Sequence, residues 1–212
     1  MNMEFVLPEE IEKRSFEIIE SELPREIPER EKPVVMRVIH TTADFDYCEN
    51  LKFSENAVDI ALEAIKGGAV FVTDTNMIKA GINKPALERL GCEAVCFMSD
   101  EETAKSASQR GITRAAASVE KAAKIQRPVL YAVGNAPTAL VRICELIDEG
   151  SFRPALVIGV PVGFVNVEYS KELLTKSKVP YIAAMGRKGG STVAAAIINA
   201  LLYMAGGRSG CR

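Results

Sequence analysis

The stretch "VLYAVGNAPTALVRICELIDEG" (residues 129–150) decides the fold class. Its first five residues, Val129 to Val133, form an apolar run without alternation, as expected of a strand covered on both faces. Gly134 and Asn135 end the run, and Pro137 opens a helical segment reaching Glu149. Similar short apolar runs occur at Val34–Ile39, Ala69–Val72, Ala94–Phe97, Ala155–Val160 and Tyr181–Ala184. Helical segments are predicted around them. One is capped by Ser54 and stopped by Gly67 and Gly68 after Lys66; the others lie near Pro85–Leu90, Glu101–Arg110, Ala115–Lys124, Glu168–Lys176 and Thr192–Met204. Pro8–Leu23 also reads as helical, and a charged, proline-rich link, Pro24–Pro33, joins it to the first apolar run. Strands alternating with helices predict an α/β fold of three layers: a mostly parallel sheet flanked by helices, preceded by an N-terminal helical segment.

The 212 residues suit one domain spanning 1–212, with 1–33 as N-terminal helix and linker and 206–212 as a loose tail. Against 28 acidic residues stand 26 basic ones, so the chain lacks the basic surface that nucleic acid requires. No apolar run approaches the roughly 20 residues of a membrane span. The acidic start lacks the apolar stretch of a signal peptide, and a cytoplasmic protein is expected. Cys48, Cys92, Cys96, Cys144 and Cys211 form no CxxC pair. With a single histidine in the chain, they offer no structural zinc pattern, so no metal site is expected.

In open parallel sheets, ligands bind beyond the carboxyl ends of the strands. The residues following the runs are therefore the candidates: His40-Thr41, Thr73-Asp74, Ser99-Asp100, Gly134-Asn135, Pro161-Val162-Gly163-Phe164, and Gly186-Arg187-Lys188-Gly189-Gly190-Ser191. The adjacent glycines and cations of the last loop suit a phosphate or carboxylate, although the Walker spacing is missing. No GxGxxG follows the first run, which speaks against a dinucleotide. Each element also has an ordinary reading. A lone histidine is commonly a hydrogen-bonded structural residue, Arg114 a solvated charge, Asp74 the cap of a turn, and the glycine-rich loop a turn before a helix.

Six stretches together resemble one family: "RSFEII" (14–19), "RVIHTTADFDY" (37–47), "TRAAASVE" (113–120), "GNAPTAL" (134–140), "PALVIGVPVGFVNVEYSKE" (154–172) and "GRKGGSTVAAAIINAL" (186–201). They are similar, in order and over Arg14 to Tyr203, to the precorrin-8X / cobalt-precorrin-8 methylmutases. The resemblance implies an intramolecular methyl shift between neighbouring carbons of ring C of a tetrapyrrole, giving hydrogenobyrinic acid or its cobalt counterpart. It places the family's histidine, in an R-x-x-H motif, on His40, and substrate contacts on Arg37 and Ser15. It also implies a homodimer with sites near the subunit interface; separately, with no glycine-rich fingerprint for an adenosine-type methyl donor after the first run, no added cofactor is expected. Two departures are visible. Ala115 stands where many members have serine, and "HTTADFDY" is more similar to the cobalt-early, anaerobic form than to the oxygen-dependent one.

A flat, polycarboxylated ring needs an apolar cleft edged by cations and N–H donors. Thr41, Arg114, Asn135, Gly163, Arg187, Lys188, Gly189 and Ser191 are the candidates for that edge. A methyl shift needs neither nucleophile nor redox step, and histidine suits protonation of a ring nitrogen because its ordinary pKa lies near neutrality. Two other functions compete. One is non-catalytic binding of an anionic tetrapyrrole. The other is hydrolysis by His40 with Ser191, against which stands the missing G-x-S-x-G elbow.

Overall fold

The computed structural model describes Leu7 and residues 10–207. Along the chain run α1 (Ile11–Ser21), α2 (Lys32–Thr42), α3 (Tyr47–Asn50), β1 (Leu51–Phe53), α4 (Ala57–Lys66), β2 (Val70–Thr73), α5 (Asn76–Gly81), α6 (Lys84–Arg89) and β3 (Glu93–Val95). These are followed by α7 (Glu101–Arg110), α8 (Arg114–Ala122), β4 (Val129–Val133), α9 (Pro137–Asp148), β5 (Leu156–Gly159), α10 (Val167–Lys176), β6 (Tyr181–Ala184) and α11 (Ser191–Ala205). The strands form one sheet in the order β1-β6-β5-β4-β2-β3. Every pairing is parallel except that of β1 with β6.

Alternate residues of each central strand enter opposite cores. Leu130 and Ala132 of β4 pack with residues of α2, α4 and α11, whereas Val129, Tyr131 and Val133 pack with α8, α9 and α10. β5 divides the same way, with Leu156 and Ile158 on the first face and Val157 on the second. Both faces are apolar, which is why these strands read as continuous runs. α11 is buried on most of its circumference, from Val193 to Leu202, and packs against α2, α4 and α5.

Two sequence expectations need correction. Val34–Ile39 is not a strand; it is the body of α2. A buried helix and a two-sided strand give the same short apolar run. Here Pro33 sits in the first helical turn, and Val34, Val35, Val38 and Ile39 make two i,i+4 pairs on the buried side. Arg37, His40 and Thr41 share the less buried side. The sixth strand is instead β1, only three residues long, with exposed Lys52 at its centre. Nor does Ser54 cap α4, whose N-cap is Asn56 in a left-handed conformation (φ 56°). The Ser54 hydroxyl accepts from Tyr181 N at 2.9 Å and ties the end of β1 to the start of β6. Of the predicted N-terminal helix, Pro8 and Glu9 lie outside the described residues; so does the tail beyond Gly207, with Cys211.

Asp74, immediately after β2, is 1% exposed. Its carboxylate accepts from three successive amides at the exit of the neighbouring β4: Gly134 N (2.9 Å), Asn135 N (2.8 Å) and Ala136 N (2.7 Å). It therefore caps the neighbouring strand's exit and not its own turn. Burial pushes the carboxyl above its usual range while the three N–H donors pull it back. Asp74→Ala leaves those donors without their acceptor. It is expected to cost about 3 kcal/mol and to lower the thermal midpoint by about 6–12 °C. An unchanged midpoint in calorimetry contradicts this role.

Candidate functional site

The loops leaving the carboxyl ends of β2, β4, β5 and β6 meet in one rim. Thr75 Oγ1 and Ser191 Oγ share a hydrogen bond at 2.9 Å, which joins the β2 exit to the start of α11. Gly134 lies against the Gly190–Ser191 backbone so closely that a Cβ on it would sit 2.9 Å from Ser191 Cα. Gly189 (φ +152°) is pressed onto the β5 exit, where a Cβ would come within 2.2 Å of Val160 O. Gly190 N donates to that same oxygen at 2.8 Å. Gly163 (φ +146°) donates through its N–H to Arg187 O at 3.2 Å. Glycine is required at 134 and 189 because backbone meets backbone there.

β1 runs opposite to its neighbour, and its first residue, Leu51, pairs with the last of β6, Ala184. The segment before it therefore arrives at this rim, and Met185 N donates to Asn50 O at 2.7 Å. Lys188 secures the junction through Asp44 Oδ2 (2.7 Å) and Asp46 Oδ2 (2.6 Å), both just beyond α2. The end of α2, with His40 and Thr41, is thus brought to the rim without being a strand end.

His40 is exposed and makes no hydrogen bond among the described residues. Its ring stacks on Phe16 of α1, with centroids 5.1 Å apart and planes 15° apart. Arg37 lies with its guanidinium carbon 4.6 Å from the centroid of the same Phe16 ring and 5.1 Å from that of Tyr203. It also pairs with Glu12. Ser15 Oγ donates to Ile11 O at 2.8 Å and Thr41 Oγ1 to Arg37 O at 2.9 Å, so both hydroxyls are turned onto their own helices. The ordinary reading of a lone histidine, a hydrogen-bonded structural residue, finds no hydrogen bond at His40 among the described residues.

The remaining candidates fall around this arc. Arg187 approaches Glu168 at 3.4 Å and lies over Phe164, its guanidinium carbon 5.4 Å from the ring centroid. Asn135 uses its backbone N–H on Asp74 and leaves its side chain exposed. Arg114 opens α8 and is exposed. It is linked to the rim only indirectly, through Thr113 Oγ1 on Thr138 at 3.3 Å. That junction lines a cleft of about 610 Å³ together with Ala116, Arg142, Asn166 and Tyr169. His40 does not line this cleft. Beside the rim, the adjacent apolar side chains of Phe164 (81% exposed) and Val165 (78%) lie open to solvent.

Several residues here were missed from the sequence: Phe16 and Tyr203 as ring partners, Asp44 and Asp46 as anions holding Lys188, and Lys171. The last had a readable signal. Lys171 falls with Val167, Ser170 and Leu174 on the i, i+3, i+4, i+7 stripe that α10 buries. Its ammonium donates to Gly186 O and Lys188 O, each at 2.8 Å, and burial lowers its pKa to about 8.

The family model described as Precorrin-8X methylmutase matches residues 10–204. The chain belongs to the precorrin-8X methylmutase family. It is 43% identical to "Cobalt-precorrin-8 methylmutase" of Leptospira interrogans, over 93% of this chain and 94% of that one. Against the Salmonella typhimurium protein of the same name the identity is 44%, covering 92% and 95%. The crystal structure of precorrin-8X methyl mutase from Thermus thermophilus superposes with a TM-score of 0.86 at 41% identity, covering 93% of this chain and 98% of that one.

Other chemistries find little support in the same geometry. Ser191 shares its hydroxyl with Thr75 and not with His40, so no Ser–His pair forms among the described residues. Cys48 is 1% exposed, and burial first, with Glu49 adding to it against Arg25, raises its thiol above the ordinary value. Among the described residues, no three His, Cys, Asp or Glu side chains are grouped to hold a metal ion. No described helix is long and apolar enough to cross a membrane.

The hydrogen bond from Lys188 holds the Asp44 carboxyl below its usual range. As pH falls, the unfolded chain therefore takes up this proton first. The stability contributed by the pair is present above about pH 4 and lost as pH drops through the depressed value. Lys188→Met is expected to melt below the wild-type temperature near pH 7, with the gap closing as pH falls through the depressed Asp44 value. A gap that persists in acid melts removes the pair as its cause.

Proposed function

We propose that this protein moves a methyl group between neighbouring carbons of ring C within one precorrin-8-type tetrapyrrole, with His40 as the proton donor. The observation that carries the reading is the state of His40: exposed, held by the Phe16 stack and hydrogen-bonded to no described residue. Such an imidazole is oriented yet keeps its nitrogens for a ligand.

In the proposed reaction the methyl bond to one ring carbon breaks as the bond to its neighbour forms, on the same molecule. His40 lends a proton to a ring nitrogen, which draws electron density from the migrating centre, and recovers it afterwards. Atoms and electrons balance without donor or oxidant. Arg37, packed beside the stack, and Asn135, Arg187, Gly189 and Ser191 around the rim serve the peripheral carboxylates, with Arg114 farther off at the start of α8; Gly163 holds the loop through Arg187 O. Lys188, already held by two aspartates, acts mainly by anchoring the loop. The relatives named cobalt-precorrin-8 methylmutase, at 43% and 44% identity, favour the cobalt-bearing substrate.

His40→Ala is expected to bind tetrapyrrole while losing about 10²–10⁴-fold in turnover. The absorption change on mixing with precorrin-8X and with its cobalt form reads both. Rearrangement at the wild-type rate by the folded variant defeats the assignment, and failure of the wild-type protein to convert either substrate leaves tetrapyrrole binding as the function.

The reading also includes a homodimer. The exposed apolar side chains of Phe164 and Val165, beside the rim, support a second copy seated there. Light scattering at micromolar concentration is expected to give the dimer mass for the wild type and the monomer mass for Phe164→Glu with Val165→Glu. A wild-type monomer contradicts the assembly.

A further inference from the structure

We propose that Lys171 is a positioning residue that shapes the 186–190 loop into an amide-lined receptor for one carboxylate of the ligand. The inference rests on the functional reading above and assigns this loop its part in it.

Lys171 is a charged residue with 0% exposure, carried inward on the apolar stripe of α10. A buried ammonium is costly unless its hydrogens are used, and these reach two oxygens of a single loop, Gly186 O and Lys188 O, each at 2.8 Å. The carbonyl between them, Arg187 O, accepts from Gly163 N at 3.2 Å. Three successive carbonyls are thus drawn toward α10 and the β5 exit. None of the peptide bonds is cis. In a trans peptide the C=O and the following N–H point in opposite directions. The N–H groups of Arg187, Lys188 and Gly189 belong to those same three peptide units. Those of Arg187 and Gly189 are directed away from Lys171, that of Lys188 away from Gly163 N, and none donates to a described residue.

The other side of the loop is fixed independently. Gly189 lies against Val160 O, and Gly190 N donates to it at 2.8 Å. The loop is therefore held at both ends with its donors outward, an arrangement of consecutive amides that suits an anion. The two adjacent cations are engaged with carboxylates, Arg187 near Glu168 and Lys188 with Asp44 and Asp46. The donors left for a ligand are largely backbone ones, and their direction depends on what captures the carbonyls. Lys171 keeps enough hydrogens for both oxygens even as a neutral amine, so its hold on the loop does not require the charge.

The test uses the full chain and Lys171→Met, which keeps the length of the side chain and removes the donors. Limited trypsin digestion without ligand is expected to cut after Arg187 and Lys188 at least about tenfold faster in the variant, with cleavage after Lys105 in α7 unchanged. Titration with hydrogenobyrinic acid is expected to give a Kd raised about tenfold, and turnover of the precorrin-8-type substrate a KM raised about tenfold with kcat within about threefold. In the wild type, hydrogenobyrinic acid is expected to protect the same two bonds from trypsin, which keeps the inference exposed even if the variant fails to fold. Unchanged cleavage and unchanged Kd overturn it. So does faster cleavage spread equally over the chain, and so does ligand binding without protection of the loop. If neither hydrogenobyrinic acid nor its cobalt counterpart binds the wild type, the functional reading falls, whereas cleavage of the ligand-free variant still reports on what Lys171 does to the loop.

Discussion

A sheet covered by helices on both faces has no polar face of its own; its unpaired backbone groups emerge only along its edges and beyond the strand ends. In this protein that constraint governs the arrangement. Phe71, Leu130, Ile158 and Ile182 face one core, and Val72, Tyr131, Val157 and Ala183 face the other. The chain therefore turns polar at the exits of β2, β4, β5 and β6, and those exits must settle their own hydrogen bonds. Asp74 does so for β4 by accepting three amides, and Lys171 does so for the loop after β6 by donating to two carbonyls. Each is a charged side chain that is almost fully buried, and each acts on a strand exit other than the one its own sequence position suggests.

The site is thereby divided between two devices. Around the rim, side-chain charge is largely neutralised within the protein, since Lys188 meets Asp44 and Asp46 and Arg187 approaches Glu168. In the proposed function, recognition of an anionic edge there draws on backbone amides as well as side chains; the directions of the amides are fixed by packing and so cost little entropy to use. At the end of α2 the device is aromatic. Phe16 is flanked by His40 and Arg37, and Arg37 in turn lies near Tyr203. Stacking orients the imidazole while leaving its nitrogens uncommitted, which a hydrogen bond from the protein would not do.

Periodicity and turn chemistry determined much by themselves. Two-sided strands such as Val129–Val133 and Tyr181–Ala184 announce themselves as apolar runs, and Glu101–Arg110 is a helix with the bounds its sequence suggests. The rim loops follow from the strand ends, and the motif stretches from Arg14 to Tyr203 carry the family. These features are local: each depends on a few neighbouring residues whose side chains have one low-energy way to be covered.

Only the tertiary structure decided the rest. Over six residues, Val34–Ile39 satisfies a buried helix as well as a buried strand, and packing against α1 and α11 chose the helix. β1 was illegible because three residues around an exposed lysine become a strand only when β6 offers an open edge. Asp44, Asp74 and Lys171 gain their meaning from partners 144, 60 to 62, and 15 to 17 residues away. A charge written in sequence is solvated by default; what it does is settled when folding removes the water and leaves a particular set of backbone groups within reach.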